Sequence, residues 1–130
     1  MRIVVACALI DTDGRILLSK RPVDANMGDL WEFPGGKVKP NEIAEKALIR
    51  ELKEELDIDT NESCLAPVNF SSHQYPNFQI LLLLYICRKW VGNPRSLAAS
   101  ELKWVFANDL RKYTMPEANR GFISCLQDLL

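Results

Sequence analysis

Residues 35–58 read GGKVKPNEIAEKALIRELKEELDI. Apolar positions recur three and four apart from Ile43 through Ala47, Leu48, Leu52 and Leu56, the spacing of a helix with one inward side. Asn41 is placed to cap that helix, which should run to about Leu56. The opposite side is acidic. At ~100° per residue, Glu54 and Glu55 fall about 60° and 40° to either side of Glu51. Glu51 and Glu55 are also a like-charged i,i+4 pair, which costs an isolated helix a few tenths of a kcal/mol. Taken alone, such a face is most simply a solvated surface. The two glycines upstream, where backbone can approach a ligand closely, raise the other reading, a site for a cation. Hard divalent cations take oxygen ligands.

Working outward, Ile3 to Ile10 is rich in β-branched residues, and Arg15 to Ser19 is expected to be its hairpin partner across Asp13–Gly14. Residues 20–30, KRPVDANMGDL, read as a loop. WEFPGGKV follows as a short strand broken by Pro34 and the glycine pair. Beyond the helix, Leu65 to Ser71 and Phe78 to Arg88 read as strands, the second almost wholly apolar and so covered on both faces. WVGNP is turn chemistry, and Glu101 to Phe106 alternates as a strand. Thr114-Met-Pro-Glu117 has the form of a capping box opening a final helix to Leu130. No repeats or linkers interrupt residues 1–130. The expectation is one α/β (α+β) domain, with helices packed on a mixed β-sheet.

Composition narrows the function classes. The chain has 130 residues, 48% hydrophobic, enough for a substantial core. Net charge is −1 with no basic stripe, which argues against a nucleic-acid partner. No apolar run has the length of a membrane span. The opening MRIVVACALI lacks a signal-peptide cleavage site and reads as the first strand. Cys7, Cys64, Cys87 and Cys125 form no CxxC pair and are expected to be free thiols in a reducing, cytoplasmic setting. A small anionic ligand remains compatible with this charge, because a metal ion can supply the positive partner.

From Gly36 the chain spells G-x5-E-x7-R-E-L-x-E-E-x-D-I, with Glu42, Arg50, Glu51, Glu54, Glu55, Asp57 and Ile58 in the named places. This resembles the Nudix box, G-x5-E-x7-R-E-U-x-E-E-x-G-U, where U is aliphatic; only the last glycine, here Asp57, departs. The resemblance implies the Nudix fold, with a mixed sheet between helices, and a loop–helix–loop that binds Mg²⁺ or Mn²⁺ and hydrolyses a nucleoside diphosphate linked to another group. By the same resemblance Glu51, Glu54 and Glu55 are metal ligands, joined by backbone carbonyls at Gly35 and Gly36. Arg50 orients the glutamates, a supporting role, and Glu42 is the loop glutamate of the box. Catalysis falls to this set, with a glutamate or a water held by it as general base.

LLSKRP, WEFPGGKV and MPEANRGFI extend the likeness towards the MutT branch, the 8-oxo-dGTP diphosphatases that sanitise the nucleotide pool, and towards relatives acting on CTP and modified dCTP. This implies that Asn119 reads a purine edge and that Arg21 and Lys37, with Lys20 nearby, approach the phosphates. Phe78, with Trp31, Phe33 and Tyr75, is a candidate wall for the base, although most of these aromatics are expected in the core. His73 is expected in a hairpin loop or pocket wall rather than as a general base. Two departures stand out. The branch carries a glutamate where this chain has Ala98, and Glu101 lies three positions too late to replace it. Asp57 is expected to strain the end of the helix without moving the glutamates, with its charge at the unfavourable end of the dipole. The expected enzyme is a monomer or weak homodimer that takes a small nucleotide. The rivals are a CTP or modified-dCTP pyrophosphohydrolase and a non-catalytic Nudix-like module that binds nucleotides or recognises lesions.

Overall fold

In the computed structural model, which describes residues 1–130, the strands divide between two sheets. The first contains β1 (Arg2–Leu9), β4 (Gly35–Lys37), β5 (Leu65–Gln74) and β6 (Gln79–Cys87) in the order β4-β1-β6-β5. Its central pair, β1 and β6, is parallel, and the outer pairings are antiparallel. The second sheet joins β2 (Arg15–Lys20), β3 (Trp31–Glu32) and β7 (Glu101–Phe106) in the order β3-β2-β7, all antiparallel. The helices are α1 (Ala44–Leu56), α2 (Glu117–Arg120) and α3 (Ile123–Leu129). The fold class is α+β, as expected.

The apolar strands alternate between two cores, which explains their continuous hydrophobic runs. Ala6, Ala8, Leu82, Leu84 and Ile86 face one cluster with Phe33, Leu110, Phe122 and Leu126. Val5, Cys7, Leu9 and Tyr85 face the other, beneath Ala47, Leu48, Leu52 and Leu56 of α1. Each inward α1 leucine is fully buried, worth about 1.5–3 kcal/mol of transfer free energy apiece. All four cysteines are free thiols. No helix is long and apolar enough to cross a membrane.

Four local expectations change. The chain turns back at Asp11–Gly14, where Asp11 Oδ1 accepts the Asp13 and Arg15 N–H groups at 3.0 and 2.7 Å. However, β1 and β2 share only an Ile10–Ile16 bridge. Both edges of β1 are already taken by β4 and β6, so β2 pairs with β7 instead. Asn41 does not cap α1: it is exposed at φ 63°, and the helix begins after Ile43 without a side-chain cap. Ile43 is 61% exposed, not inward. Glu42 instead ties down the loop ahead of the helix, its Oε1 accepting the Lys39 N–H at 3.0 Å. Thr114 likewise caps nothing; α2 starts after Pro116 and breaks at Gly121–Phe122 before α3. Phe122 is fully buried, and inserting it between two short helices fills the core that one straight helix would leave open.

Candidate active site

Helix α1 carries the acidic residues, and β4 fixes what they face. Gly35 and Gly36 pair with Ala6 and Val5 of β1, so the glycines form the edge of the sheet against which Glu51 of the helix packs. A Cβ on Gly36 would overlap the Glu51 carboxylate, and one on Gly35 would overlap the Val5 carbonyl oxygen. The Gly35 N–H donates to Glu55 Oε2 at 3.2 Å. Both i,i+4 carboxylates are therefore tucked against backbone rather than solvated.

Arg50 ties the acids together. Its Nε and Nη2 donate to the two oxygens of Glu42 at 2.8 and 2.9 Å, and Nη1 donates to Glu51 Oε1 at 2.8 Å and Glu54 Oε2 at 3.3 Å. Nη2 also reaches the Lys37 carbonyl at 3.1 Å. This fork holds Glu42 down at about 2, through the Arg50 hydrogen bonds first and the Lys39 N–H second. Glu55 moves the other way. Burial, then the neighbouring charges of Glu51 and Glu32, push it up to about 8.

The end of α1 is held by the loop that precedes β7. Arg95 N–H donates to the Leu56 carbonyl at 2.9 Å and Leu97 N–H to the Glu55 carbonyl at 3.0 Å. Asp57 adopts the left-handed conformation, φ 58° and ψ 39°, as the missing glycine would. Its charge does lie at the C-terminal end of the helix, as expected, and Lys53 and Arg95 pair with it there at 3.1 and 3.2 Å. Lys53 first, by hydrogen bond and charge, lowers the Asp57 carboxyl below its ordinary range.

A cavity of about 390 Å³ runs from these acids to α2. Glu51, Glu55, Gly35, Gly36, Arg21 and Lys37 line one end; Phe33, Tyr75, Phe78 and Asn119 line the other. Glu54 stands outside the lining with 56% of its side chain exposed, and Glu42 and Arg50 support it from behind. Lys20 turns away to Asp29, and Trp31 packs edge-on against Tyr113, so neither faces the cavity. His73 is not in a hairpin loop and does not line the cavity. It sits in β5 opposite Ile80 and packs edge-on against Tyr75.

Asn119 is buried at 7% exposure, although a first-turn asparagine looks exposed from sequence. Its Oδ1 accepts the Phe33 N–H at 3.3 Å. A backbone N–H can only donate, so this contact fixes which end of the amide is oxygen. The amide nitrogen has no protein partner and is left to the cavity.

Sequence reasoning missed Glu32. It lies on β3 between the glycines and the loop, and it accepts from Arg21 Nη1 at 3.1 Å. Burial raises its carboxyl above the ordinary range, against the opposing charge of Arg21. An acid between Trp31 and Phe33 in a two-residue strand was the available signal. A smaller cavity of about 210 Å³ brings Ala98, Glu32 and Glu55 together. Ala98 therefore borders the acidic end with a methyl group only.

The donors here are all hard oxygens: carboxylates of Glu51, Glu55 and Glu32, and the glycine backbone. They suit a hard divalent cation. Nowhere do three such side chains close into a coordination shell. Glu51 is drawn to Arg50, Glu55 to Gly35, and Glu54 to the rim. Glu55, pushed up by burial first and by the charges of Glu51 and Glu32 second, belongs to a cluster short of positive charge, which a cation would supply.

The NUDIX domain family matches residues 5–125, and the chain belongs to it. Members of this family generally use divalent metal cations. Among characterised relatives, the chain is 36% identical over 87 residues to the 8-oxo-dGTP diphosphatase of Proteus vulgaris, covering 67% of this chain and 76% of that protein. It is 53% identical over 57 residues to the CTP pyrophosphohydrolase of Escherichia coli, covering 44% of this chain and 42% of that protein. The crystal structure of the MutT NUDIX hydrolase from Burkholderia pseudomallei superposes with a TM-score of 0.83 at 30% identity, covering 95% of each chain.

Proposed function

We propose that the chain is a Mg²⁺-dependent nucleoside triphosphate pyrophosphohydrolase, converting NTP and water to NMP and pyrophosphate, with 8-oxo-dGTP as its preferred substrate. The observation that carries this reading is the single cavity joining Glu51, Glu55, Gly35 and Gly36 at one end to Asn119 and Phe78 at the other. A nucleotide fits that division: phosphates by the acids, base by the amide and aromatics. Glu51, Glu54 and Glu55, with backbone at Gly35 or Gly36, would hold Mg²⁺ or Mn²⁺. The cation would neutralise phosphate charge and lower the pKa of water. Arg21 and Lys37 face the phosphates, and Arg50, locked to Glu42, keeps Glu51 in place. A glutamate of the set takes the proton of the attacking water.

At the base end, the Phe33 N–H orients the Asn119 amide so that its nitrogen is presented as a donor. A donor pairs with a carbonyl, such as the C6 carbonyl of 8-oxoguanine, and is repelled by an amino group such as that at C4 of cytosine, which offers acceptors only at O2 and N3. The similarity to the CTP pyrophosphohydrolase supports a second reading, in which CTP is preferred. Pyrophosphate release across a nucleotide panel, with and without Mg²⁺, separates them. The expected result is Mg²⁺-dependent release that is fastest with 8-oxo-dGTP and loses its purine preference in Asn119→Ala. A pyrimidine preference that survives Asn119→Ala overturns the purine reading, and no turnover of any nucleotide overturns the enzyme.

A further inference from the structure

The base end of the cavity also holds a cation that the chemistry above leaves unused. Arg2 sits on β1 opposite Ile80 of β6, and its guanidinium carbon lies 3.9 Å from the centre of the Phe78 ring. Arg15, Arg21, Arg50, Arg95 and Arg120 all pair with carboxylates. Arg2 has no such partner, yet it lines the same cavity as Asn119.

Its position is built rather than incidental. Phe78 packs on Tyr75 with ring centres 5.0 Å apart. The Tyr75 hydroxyl accepts the Ala118 N–H at 3.1 Å, one residue before Asn119. A continuous frame, Arg2 on Phe78 on Tyr75 on α2, therefore bounds the base end. A guanidinium stacked on a ring uses its flat face for the contact and keeps its N–H edge free to donate. With the Asn119 oxygen engaged by the Phe33 N–H, Arg2 and the Asn119 amide nitrogen are two donors left for a ligand at this end.

We propose that Arg2 is a specificity-determining residue: held on Phe78, it donates a hydrogen bond to the C6 carbonyl of the base and selects 6-keto-purine over 6-amino-purine nucleotides. Arginine is suited to this task, since its N–H edge can donate to O6, the acceptor that a keto-purine has where an amino-purine carries an NH₂ donor. The proposal rests on the nucleotide reading above, and it adds a residue and a chemical rule to it.

The test is binding of two product monophosphates, 8-oxo-dGMP and 8-oxo-dAMP, by calorimetry to the wild type, Arg2→Met and Arg2→Lys. Methionine keeps the apolar contact with Phe78, and lysine keeps the charge without the fork. Arg2→Met should weaken 8-oxo-dGMP about tenfold and 8-oxo-dAMP by less than about twofold, with Arg2→Lys in between. In turnover of 8-oxo-dGTP, the loss should appear in KM with kcat nearly unchanged. Equal weakening of both monophosphates would make Arg2 a contact to a group they share, the phosphate or the C8 carbonyl, and no weakening of either would make it packing; each overturns the proposal, as does failure of the wild type to bind either. A wild type that binds but hydrolyses nothing would remove the hydrolase reading alone, because monophosphate binding requires no catalysis.

Discussion

Arg50 grips Glu42 with both faces of its fork, Nε to Oε2 at 2.8 Å and Nη2 to Oε1 at 2.9 Å, while its third nitrogen holds Glu51. A lysine can supply the charge but not the paired geometry. Arg50→Lys should therefore release Glu51 and lower kcat about 10- to 100-fold, the range typical of groups that orient metal ligands. The Glu42 carboxyl, followed by carbon NMR, should titrate near 2 in the wild type and return towards 4.5 in the variant. Because its folded pKa lies below the unfolded one, the pair contributes stability above about pH 4.5 and loses it as pH falls through about 2. The stability gap between wild type and variant should accordingly be flat at neutral pH and close in acid. A Glu42 that titrates normally in the wild type would contradict this.

Asp57→Gly removes a non-glycine residue from the left-handed region, where glycine is at ease. It also removes two exposed ion pairs, with Lys53 and Arg95, of a kind that contributes little. Relief of the backbone should win, raising Tm by a few degrees with kcat unchanged. Salt decides the matter: the gain should grow at about 1 M NaCl, where such pairs are screened. A lower Tm at both salt concentrations would show that the pairs outweigh the backbone.

What could be read in the sequence was local. The acidic face of α1, its leucines and the Arg50 contacts lie within a few helical turns, so spacing alone brings them together. Asn119 was legible through its motif, but the orientation of its amide depends on Phe33, distant in sequence and just past the end of β3. Glu32 offered only its place between two aromatics and Arg2 no pattern, because each acquires its role from long-range pairing: Glu32 from Arg21, Arg2 from the ring of Phe78. The division into two sheets was hidden for the same reason. A hairpin signal at Asp13–Gly14 fixes a reversal of the chain, and it cannot tell that β1 has no free edge.

Glu54 tests the acidic set with the least risk to the fold, since 56% of its side chain is exposed and its one protein contact is a 3.3 Å bond to Arg50. Glu54→Gln keeps the shape and removes the charge. Turnover at saturating Mg²⁺ should fall by about 10² to 10⁴, as loss of a charged catalytic group does, with Tm within about a degree of the wild type. An unchanged rate would place the metal and the proton transfer elsewhere.

The glycine pair separates the fold from the chemistry, because neighbouring methyl groups would meet different things. On Gly35 a methyl meets the backbone oxygen of Val5 in the β1–β4 ladder, which cannot move without breaking the pairing. On Gly36 it meets the far end of Glu51, which can swing aside. Gly35→Ala should therefore lower stability markedly, by about 1–3 kcal/mol for an overpacked site, and the loss would be read in a denaturant titration. Gly36→Ala should unfold at nearly the same denaturant concentration as the wild type. It should nevertheless bind Mn²⁺ more weakly and lose most turnover, because the displaced Glu51 leaves both Arg50 and the cavity end it shares with Glu55. The reverse order, with Gly36→Ala unstable and Gly35→Ala active, would show that Glu51 is locked in place and that β4 is the part that yields.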